Sequence, residues 1–111
     1  MFELKDKVIV ITGATGTLGS ALALSLAEAK ARLIILGRNQ SLLEDLKKKL
    51  KPFTHVEYHI VNVLDRSELE KVSTSVIDKF DKIDSLINAV GGNLPGAVIP
   101  DEKSIFDLSE N

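Results

Sequence analysis

The sequence predicts an α/β protein in which a parallel β-sheet is covered by helices on both faces. Short apolar runs rich in β-branched residues alternate with longer segments of helical periodicity, and the first apolar run leads directly into a glycine-rich turn. Alternation of this kind is typical of a parallel sheet with crossover helices, and right-handed crossovers restrict its topology. The expected order along the chain is βαβαβαβ, with the strands arranged 3-2-1-4 across the sheet.

Length and composition indicate one small domain with a single core. The chain has 111 residues, of which 44% are hydrophobic and 27% are charged, an ordinary balance for a soluble domain. Its formal net charge of −2 gives no strong attraction to nucleic acid or to an anionic membrane. The lack of cysteine excludes a disulfide framework and a thiol nucleophile. No apolar run is long enough for a signal or membrane-spanning segment, so we expect a cytoplasmic protein.

The first two strands and the helix between them are predicted from the first third of the chain. Val8 to Ile11 is a run of the type that is buried on both faces of a sheet. Residues 17–30 have helical spacing, and Arg32 to Leu36 form a second apolar run. The predicted buried side of the helix comprises Leu18, Ala21, Leu22, Ser25, Leu26 and Ala29.

Two capping boxes mark the starts of two further helices. Ser41-Leu-Leu-Glu44 and Ser67-Glu-Leu-Glu70 each place a hydroxyl at a helix start and a carboxylate three residues later. Strands are predicted from His55 to Val63 and from Ile83 to Val90, and another helix begins within residues 104–111. The predicted buried faces are Leu42, Leu43, Leu46 and Leu50 in one helix and Leu69, Val72, Val76 and Phe80 in the other.

A glycine-spaced turn connects the first strand to the first helix. Gly13 allows a tight turn, Gly16 leaves room between the backbone and a diphosphate, and Gly19 lets the helix pack closely. The helix N-terminus offers N–H groups to phosphate, and two threonine hydroxyls add donors. Because a strand precedes the turn and a helix follows it, a dinucleotide site is favoured over a plain capped turn. The candidate binding residues of the turn are Gly13, Thr15, Gly16, Thr17, Leu18 and Gly19.

The segment after the second strand favours NADP over NAD. Sites for NAD usually carry an acidic residue here, about 20 residues after the glycines. In this chain Gly37 removes that carboxylate, and Arg38 offers a planar guanidinium to a 2′-phosphate. The alternatives are that Arg38 is a solvated loop residue and that the cofactor is NAD. Arg38 and Asn39 are the candidate cofactor-binding residues of this segment.

With these features the whole chain resembles the short-chain dehydrogenase/reductase family. The turn from Thr12 to Gly19 resembles the family's cofactor turn. In the commonest form of that turn the middle glycine stands where this chain has Thr17, so the spacing is closer to the family's extended branch. The resemblance implies a Rossmann-type doubly wound fold, a nicotinamide dinucleotide cofactor, and hydride transfer to or from a carbonyl or alcohol substrate.

Two later elements extend the resemblance along the chain. Asn62-Val63 stands where the family usually has Asp-Val beside the adenine, which implies that Asn62 hydrogen-bonds the adenine amino group. The segment 88–91 resembles the family's Asn-Asn-Ala-Gly element at the end of the fourth strand. Its first asparagine would brace the central sheet, and the remainder would line the ribose. The implied cofactor residues are Asn62, Val63, Asn88, Ala89, Val90 and Gly91.

The segment Gly91-Gly-Asn-Leu-Pro95, followed by Phe106-Asp-Leu108, is similar to one branch of this family. That branch contains mannonate oxidoreductases, also called fructuronate reductases, so the resemblance implies a sugar acid as substrate. A dienoyl-CoA reductase-like protein is the alternative, because related Ala-Gly-Asn segments occur there.

The family's catalytic residues are a Tyr-x-x-x-Lys element and a serine, all carried later in the chain. The single tyrosine, Tyr58, is followed four residues later by Asn62 and lies in a predicted strand, where aromatic residues are common. We therefore assign no catalytic residue and interpret residues 1–111 as an incomplete NAD(P)-binding domain, inactive by itself, of a parent oxidoreductase. The alternative is a non-catalytic nucleotide-binding or regulatory module.

The remaining features carry expectations about partners and metals. A chain that stops at Asn111 would expose an apolar sheet edge from Ser85 to Val90, so we expect self-association through this edge or a homo-oligomer. His55 and His59 share one strand face, but a metal site needs further ligands, so no metal site is assigned. The lysines of residues 47–51 are interpreted as the solvated end of a helix.

Overall fold

The computed structural model describes residues 3–89, in which strands and helices alternate along the chain. The elements are β1 Val8–Thr12, α1 Thr17–Glu28, β2 Arg32–Gly37, α2 Gln40–Leu50, β3 Val56–Ile60, α3 Arg66–Phe80 and β4 Ser85–Asn88. The predicted order βαβαβαβ is confirmed. The helix predicted within residues 104–111 lies outside the described residues.

All four strands form one parallel sheet in the order β3-β2-β1-β4, as the sequence predicts. β1 is central: its Ile9 lies opposite Leu33 of β2 on one side and opposite Ser85 of β4 on the other. All five residues of β1 are buried, because helices cover both faces of a doubly wound sheet.

Alternate residues of the strands supply two separate hydrophobic layers. Ile9 and Ile11 of β1 pack with apolar residues of α1 and α2 on one face. Val8 and Val10 pack with Val72 and other residues of α3 on the opposite face. The helices therefore bury both faces of the sheet.

The prediction of which side of α1 is buried is wrong in part. The residues that the structure buries are Gly19, Ala23 and Ala27, whereas Leu18 is 43% exposed. Ala21 and Ser25 are exposed, and Leu22, Leu26 and Ala29 are half-buried. Small residues four positions apart let the helix lie close to the sheet. Because α1 is apolar on most of its sides, apolar periodicity alone does not fix its rotation.

Both helices that follow a predicted capping box begin earlier than the boxes predict. Asn39 caps α2 and Asp65 caps α3, each two residues before the predicted serine. Asparagine and aspartate cap helices as well as serine does. The structure buries most of the predicted faces of these helices, whereas Leu69 and Phe80 are partly buried and Leu42 is 47% exposed.

The longest helix among residues 3–89 is α3, with 15 residues. A helix needs about 20 apolar residues to cross a bilayer, and no helix in this part of the chain has the required length and apolar character.

Candidate functional site

The candidate residues from four separate segments lie along one edge of the sheet. Because the strands are parallel, their carboxyl ends meet at the same edge. This edge holds the turn after β1, the loop after β2, the turn after β3 and the last residues of β4. In the order β3-β2-β1-β4, successive strands are added on one side of β1 and then, with β4, on the other side. Open α/β sheets form a ligand crevice at this point, between β1 and β4.

Gly13 begins the turn between β1 and α1 in a left-handed conformation, with φ of 72°. Residues with a side chain rarely adopt this conformation, whereas glycine adopts it readily. The Gly16 amide donates to the Gly13 carbonyl at 3.2 Å, and the Ser20 amide donates to the Gly16 carbonyl at 2.8 Å. The turn therefore leads directly into α1 with Gly16 as its N-cap.

Gly16 and Gly19 are constrained by different neighbours. A Cβ atom at Gly19 would lie 2.1 Å from the Gly13 carbonyl oxygen, so the fold itself requires glycine there. A Cβ atom at Gly16 would meet that oxygen at an ordinary 3.6 Å, and Gly16 has φ of −75°. The protein therefore leaves space above Gly16, which is exposed.

The N-terminus of α1 has no side-chain cap and no acidic residue in its first turn. By contrast, the Asn39 side chain caps α2 and the Asp65 side chain caps α3. Thr17 and Leu18 in the first turn of α1 are exposed, and Thr15 is half-buried. The positive end of this helix dipole thus faces the carboxyl edge without an internal anion.

The loop after β2 holds Gly37, Arg38 and Asn39. A Cβ atom at Gly37 would meet a methyl group of Leu43 at an ordinary contact distance of 3.4 Å. Arg38 is exposed and has no ion-pair partner within residues 3–89. The Asn39 side chain accepts a hydrogen bond from the Leu42 amide at 3.1 Å. This cap is a role for Asn39 that the sequence analysis missed, although an asparagine before a helical run is its usual signal.

The turn after β3 is held by hydrogen bonds to both the backbone and the side chain of Asn62. Its amide donates to Oε1 of Glu68 at 2.9 Å, and its Oδ1 accepts from the Leu64 amide at 3.0 Å. Val63 packs against the hydrophobic layer beneath α3. Glu68 was not a candidate residue. Its place three positions after the Asp65 cap is the signal that would have indicated it.

The end of β4 is joined to β1 through side chains. Thr12 and Asn88 are register partners, and the Thr12 hydroxyl donates to Oδ1 of Asn88 at 2.9 Å. The Ala89 amide donates to the Thr12 carbonyl at 2.9 Å, and Ala89 is buried. Asn88 thus braces β4 against the central strand. The remaining candidates of this element, Val90 and Gly91, lie outside the described residues, as does the segment 91–95.

Tyr58 lies away from the carboxyl edge. It is in the middle of β3, and its hydroxyl donates to Oε2 of Glu44 on α2 at 3.0 Å. This hydrogen bond to a carboxylate, together with desolvation, raises the pKa of Tyr58. Within residues 3–89, no three His, Asp or Glu side chains lie close enough together to hold a metal ion.

The family model described as short chain dehydrogenase matches residues 7–107. An uncharacterized oxidoreductase of Haemophilus influenzae is 35% identical over 97% of this chain, which covers 38% of that protein. This chain therefore spans about two fifths of the length of such curated relatives, 43% in the case of a Staphylococcus saprophyticus oxidoreductase.

Two solved structures share the fold at comparable identity. An NAD⁺-bound xylitol dehydrogenase is 30% identical, with a TM-score of 0.70 over 74% of this chain and 32% of its own. A protein from Haemophilus influenzae that is provisionally named D-mannonate oxidoreductase was solved with bound NAD. It is 31% identical, with a TM-score of 0.71 over 78% of this chain and 31% of its own.

Proposed function

The chain belongs to the short-chain dehydrogenase family, and we propose that it forms the nicotinamide-nucleotide-binding part of an NAD(P)-dependent oxidoreductase. The observation that carries the proposal is the uncapped N-terminus of α1, which follows the glycine turn at the carboxyl edge of the sheet. Two of the similar solved structures hold NAD or NAD⁺.

The residues of the turn fit a diphosphate. Gly13 allows a tight turn through its positive φ, and the exposed Gly16 lets an anion approach the first turn of α1. The N–H groups there have no side-chain acceptor, and no carboxylate opposes a negative ligand. The hydroxyls of Thr15 and Thr17 add donors at the same place.

We propose NADP as the preferred nucleotide. Gly37 supplies no carboxylate to repel a 2′-phosphate, and Arg38 is exposed without an ion pair among residues 3–89. A guanidinium binds phosphate through two parallel N–H groups. The two similar structures named above carry NAD or NAD⁺, so the choice of nucleotide must be tested on this protein.

We place the adenine and ribose beside the ends of β3 and β4. The turn at Asn62 and Val63 is fixed by its hydrogen bonds to Glu68 and Leu64. Asn88 and Ala89 hold the other side of the crevice against Thr12. Val90 and Gly91 would extend this side along the ribose.

The proposed reaction is hydride transfer between the bound nicotinamide and a carbonyl or alcohol substrate. When bound, a reduced nucleotide would supply the hydride to a carbonyl and an oxidised nucleotide would accept it from an alcohol, while the residues described here would bind and orient the nucleotide. We assign no general acid or base among residues 3–89, because the Tyr58 hydroxyl is hydrogen-bonded to Glu44 and the residue four positions after Tyr58 is Asn62 rather than lysine. We propose a sugar acid as substrate, which the similarity to the provisionally named D-mannonate oxidoreductase supports.

Titration of the protein with NADPH and with NADH, followed by cofactor fluorescence, tests this proposal. We expect saturable binding of both and tighter binding of NADPH. Arg38→Gln should weaken NADPH binding about ten-fold or more, because a charge-assisted phosphate contact is lost, and should leave NADH binding unchanged. The matched control is Lys51→Gln, which removes one positive charge beyond the opposite end of α2. Binding of neither nucleotide would refute the proposal, and equal effects of the two variants would refute the role of Arg38.

A further inference from the structure

A hydrogen-bonded chain of three side chains joins β3 to the first turn of α2. The Tyr58 hydroxyl donates to Oε2 of Glu44 at 3.0 Å. The side-chain amide of Gln40 donates to the same carboxylate oxygen at 3.4 Å. Gln40 is the first residue of α2, so one carboxylate connects the start of this helix to the middle of a strand.

Tyr58 is itself held firmly in the sheet. It lies opposite Ile35 of β2 in the parallel register and packs, partly buried, against the hydrophobic layer shared with α1 and α2. The Lys47 ammonium lies 5.8 Å from the centre of its ring. The strand thus supports the exposed side chains of Glu44 and Gln40 through the Tyr58 hydroxyl.

The start of α2 determines where Arg38 stands. Asn39 caps this helix by accepting hydrogen bonds from the Leu42 amide through its side chain and from the Leu43 amide through its carbonyl, each at 3.1 Å. Arg38 is the residue immediately before this cap. A shift of the first helical turn therefore moves the backbone from which the Arg38 guanidinium reaches out.

We infer that Tyr58, acting through Glu44 and Gln40, is a positioning residue for the proposed contact between Arg38 and a 2′-phosphate. The inference rests on the proposed function. Pairing of a guanidinium with phosphate depends on the angle and position of both groups, so it is sensitive to small displacements of its support. NADH has no 2′-phosphate, and its binding is insensitive to the same displacement. Tyr58 thereby affects selectivity between two nucleotides that it does not touch.

The test compares dissociation constants for NADPH and NADH across variants of the protein. Tyr58→Phe removes only the hydroxyl, and Glu44→Leu removes the acceptor from an exposed helix position. Each should raise the dissociation constant for NADPH about five-fold, the effect of one lost hydrogen bond, and leave that for NADH within about two-fold. The double variant should be no worse than either single variant, because both break one chain of contacts.

Two further variants separate positioning from general damage. Glu44→Gln keeps an acceptor oxygen for Tyr58 and should retain the preference for NADPH. Lys48→Met removes an exposed cation of the same helix that takes part in none of these contacts, and should also retain the preference. Thermal unfolding of each variant shows whether the fold is intact, and Glu44→Leu tests the same contact if Tyr58→Phe does not fold.

The outcomes distinguish this inference from the proposed function. Parallel weakening of NADPH and NADH binding, or no change in either, would overturn the positioning role while the proposed function stands. Additive effects in the double variant would also overturn it. If the unsubstituted protein binds neither nucleotide, the proposed function fails and the inference with it. Equal affinity of the unsubstituted protein for both nucleotides would overturn the inference and the proposed preference for NADP alone.

Discussion

The amino end and the carboxyl end of the same sheet are built in opposite ways. At the amino end, charged side chains are paired with one another. Arg32 lies 3.4 Å from Asp6, and Lys82 lies 3.1 Å from Asp84. Glu57, near the start of β3, accepts from both Lys79 and His55. These groups have their partners inside the protein.

At the carboxyl end, two positively polarised groups lack such partners among residues 3–89, although Asn39 and Asp65 cap the neighbouring helices. Arg38 makes no ion pair there, and α1 begins without a side-chain cap. The hydrogen bonds that do occur, such as those of Asn62 and Asn88, shape the loops. The amino end of the sheet is therefore stabilised by ion pairs within the protein. At the carboxyl end, by contrast, the N–H groups at the start of α1 and the Arg38 guanidinium can bind an anion.

The largest expected effect on stability is at the carboxyl end, where Gly19→Ala would place a Cβ atom 2.1 Å from the Gly13 carbonyl oxygen. The atoms of Gly13 and Ala14 that the new methyl would meet belong to the backbone, so the helix must move, and overpacking of this kind costs about 3 kcal/mol or more. Urea unfolding of the variant measures this loss. A loss below about 0.5 kcal/mol would mean that the turn and α1 are not packed as closely as described.

The next effect is at the amino end, where Asp84 joins β4 to β1. Its Oδ2 accepts from the Val8 amide at 2.8 Å. Asp84→Ala leaves this amide without its side-chain acceptor, which we expect to cost about 1–2 kcal/mol in the free energy of unfolding. Asp84→Asn is the control, since it keeps an acceptor oxygen and should lose less. Equal losses in both variants would assign the stabilisation to the charge instead.

Acid should weaken the contacts of two carboxylates at the amino end, Asp84 and Glu57. Burial acts to raise the pKa of Asp84, but hydrogen bonds from Val8 and Lys82 outweigh it and the pKa is lowered. Burial likewise opposes the hydrogen bonds of Lys79 and His55 at Glu57, where the pKa is again lowered.

A carboxyl group with a lowered pKa in the folded state stabilises the protein above its unfolded pKa, and this stabilisation is lost as the pH falls through the folded value. The free energy of unfolding should therefore decrease from pH 5 toward pH 2, as urea unfolding across this range would show. The double variant Asp84→Asn, Glu57→Gln should have a flatter profile. An unchanged slope would contradict the assignment to these two groups.

The smallest effect on stability is expected for Gly16→Ala. The added methyl has room and the backbone conformation suits any residue, but alanine is a poorer N-cap than glycine, so we expect a loss of about 0.5–1 kcal/mol. The same methyl occupies the space proposed for a diphosphate and should weaken NADPH binding more than ten-fold. Calorimetric titration beside urea unfolding checks both values. Unchanged affinity would place the diphosphate elsewhere.

Much of the fold follows from the sequence because its signals are local and strong. The β-branched run at Val8–Thr12 and the turn at Gly13 define a strand followed by a helix, and alternation then restricts the sheet order. The rotation of α1 could not be predicted by the same means. Its contact with the sheet is made by small residues such as Gly19 and Ala23, whereas apolar periodicity gives most weight to large ones.

The candidate site could be located from sequence more easily than its contacts. The ends of parallel strands share an edge, so Arg38 and Asn88 could be assigned to one region. The partner of Asn88 could not, because Thr12 is 76 residues away and only the strand register brings the two together. Likewise, Asn39 and Asp65 compete with nearby serines as caps, and backbone geometry decides between them.

The hydrogen bond between Thr12 and Asn88 also has a consequence for synthesis. The central strand β1 is the first of the four described strands to be synthesised. Its neighbour on one side, β4, contains Asn88, which lies 76 residues later in the chain than Thr12. Ribosomes add roughly 5–20 residues per second, so about 4–15 s separate the emergence of the two strands. Until β4 emerges, β1 lacks one of its two neighbouring strands, so the sheet can be completed only after residue 88 has been synthesised.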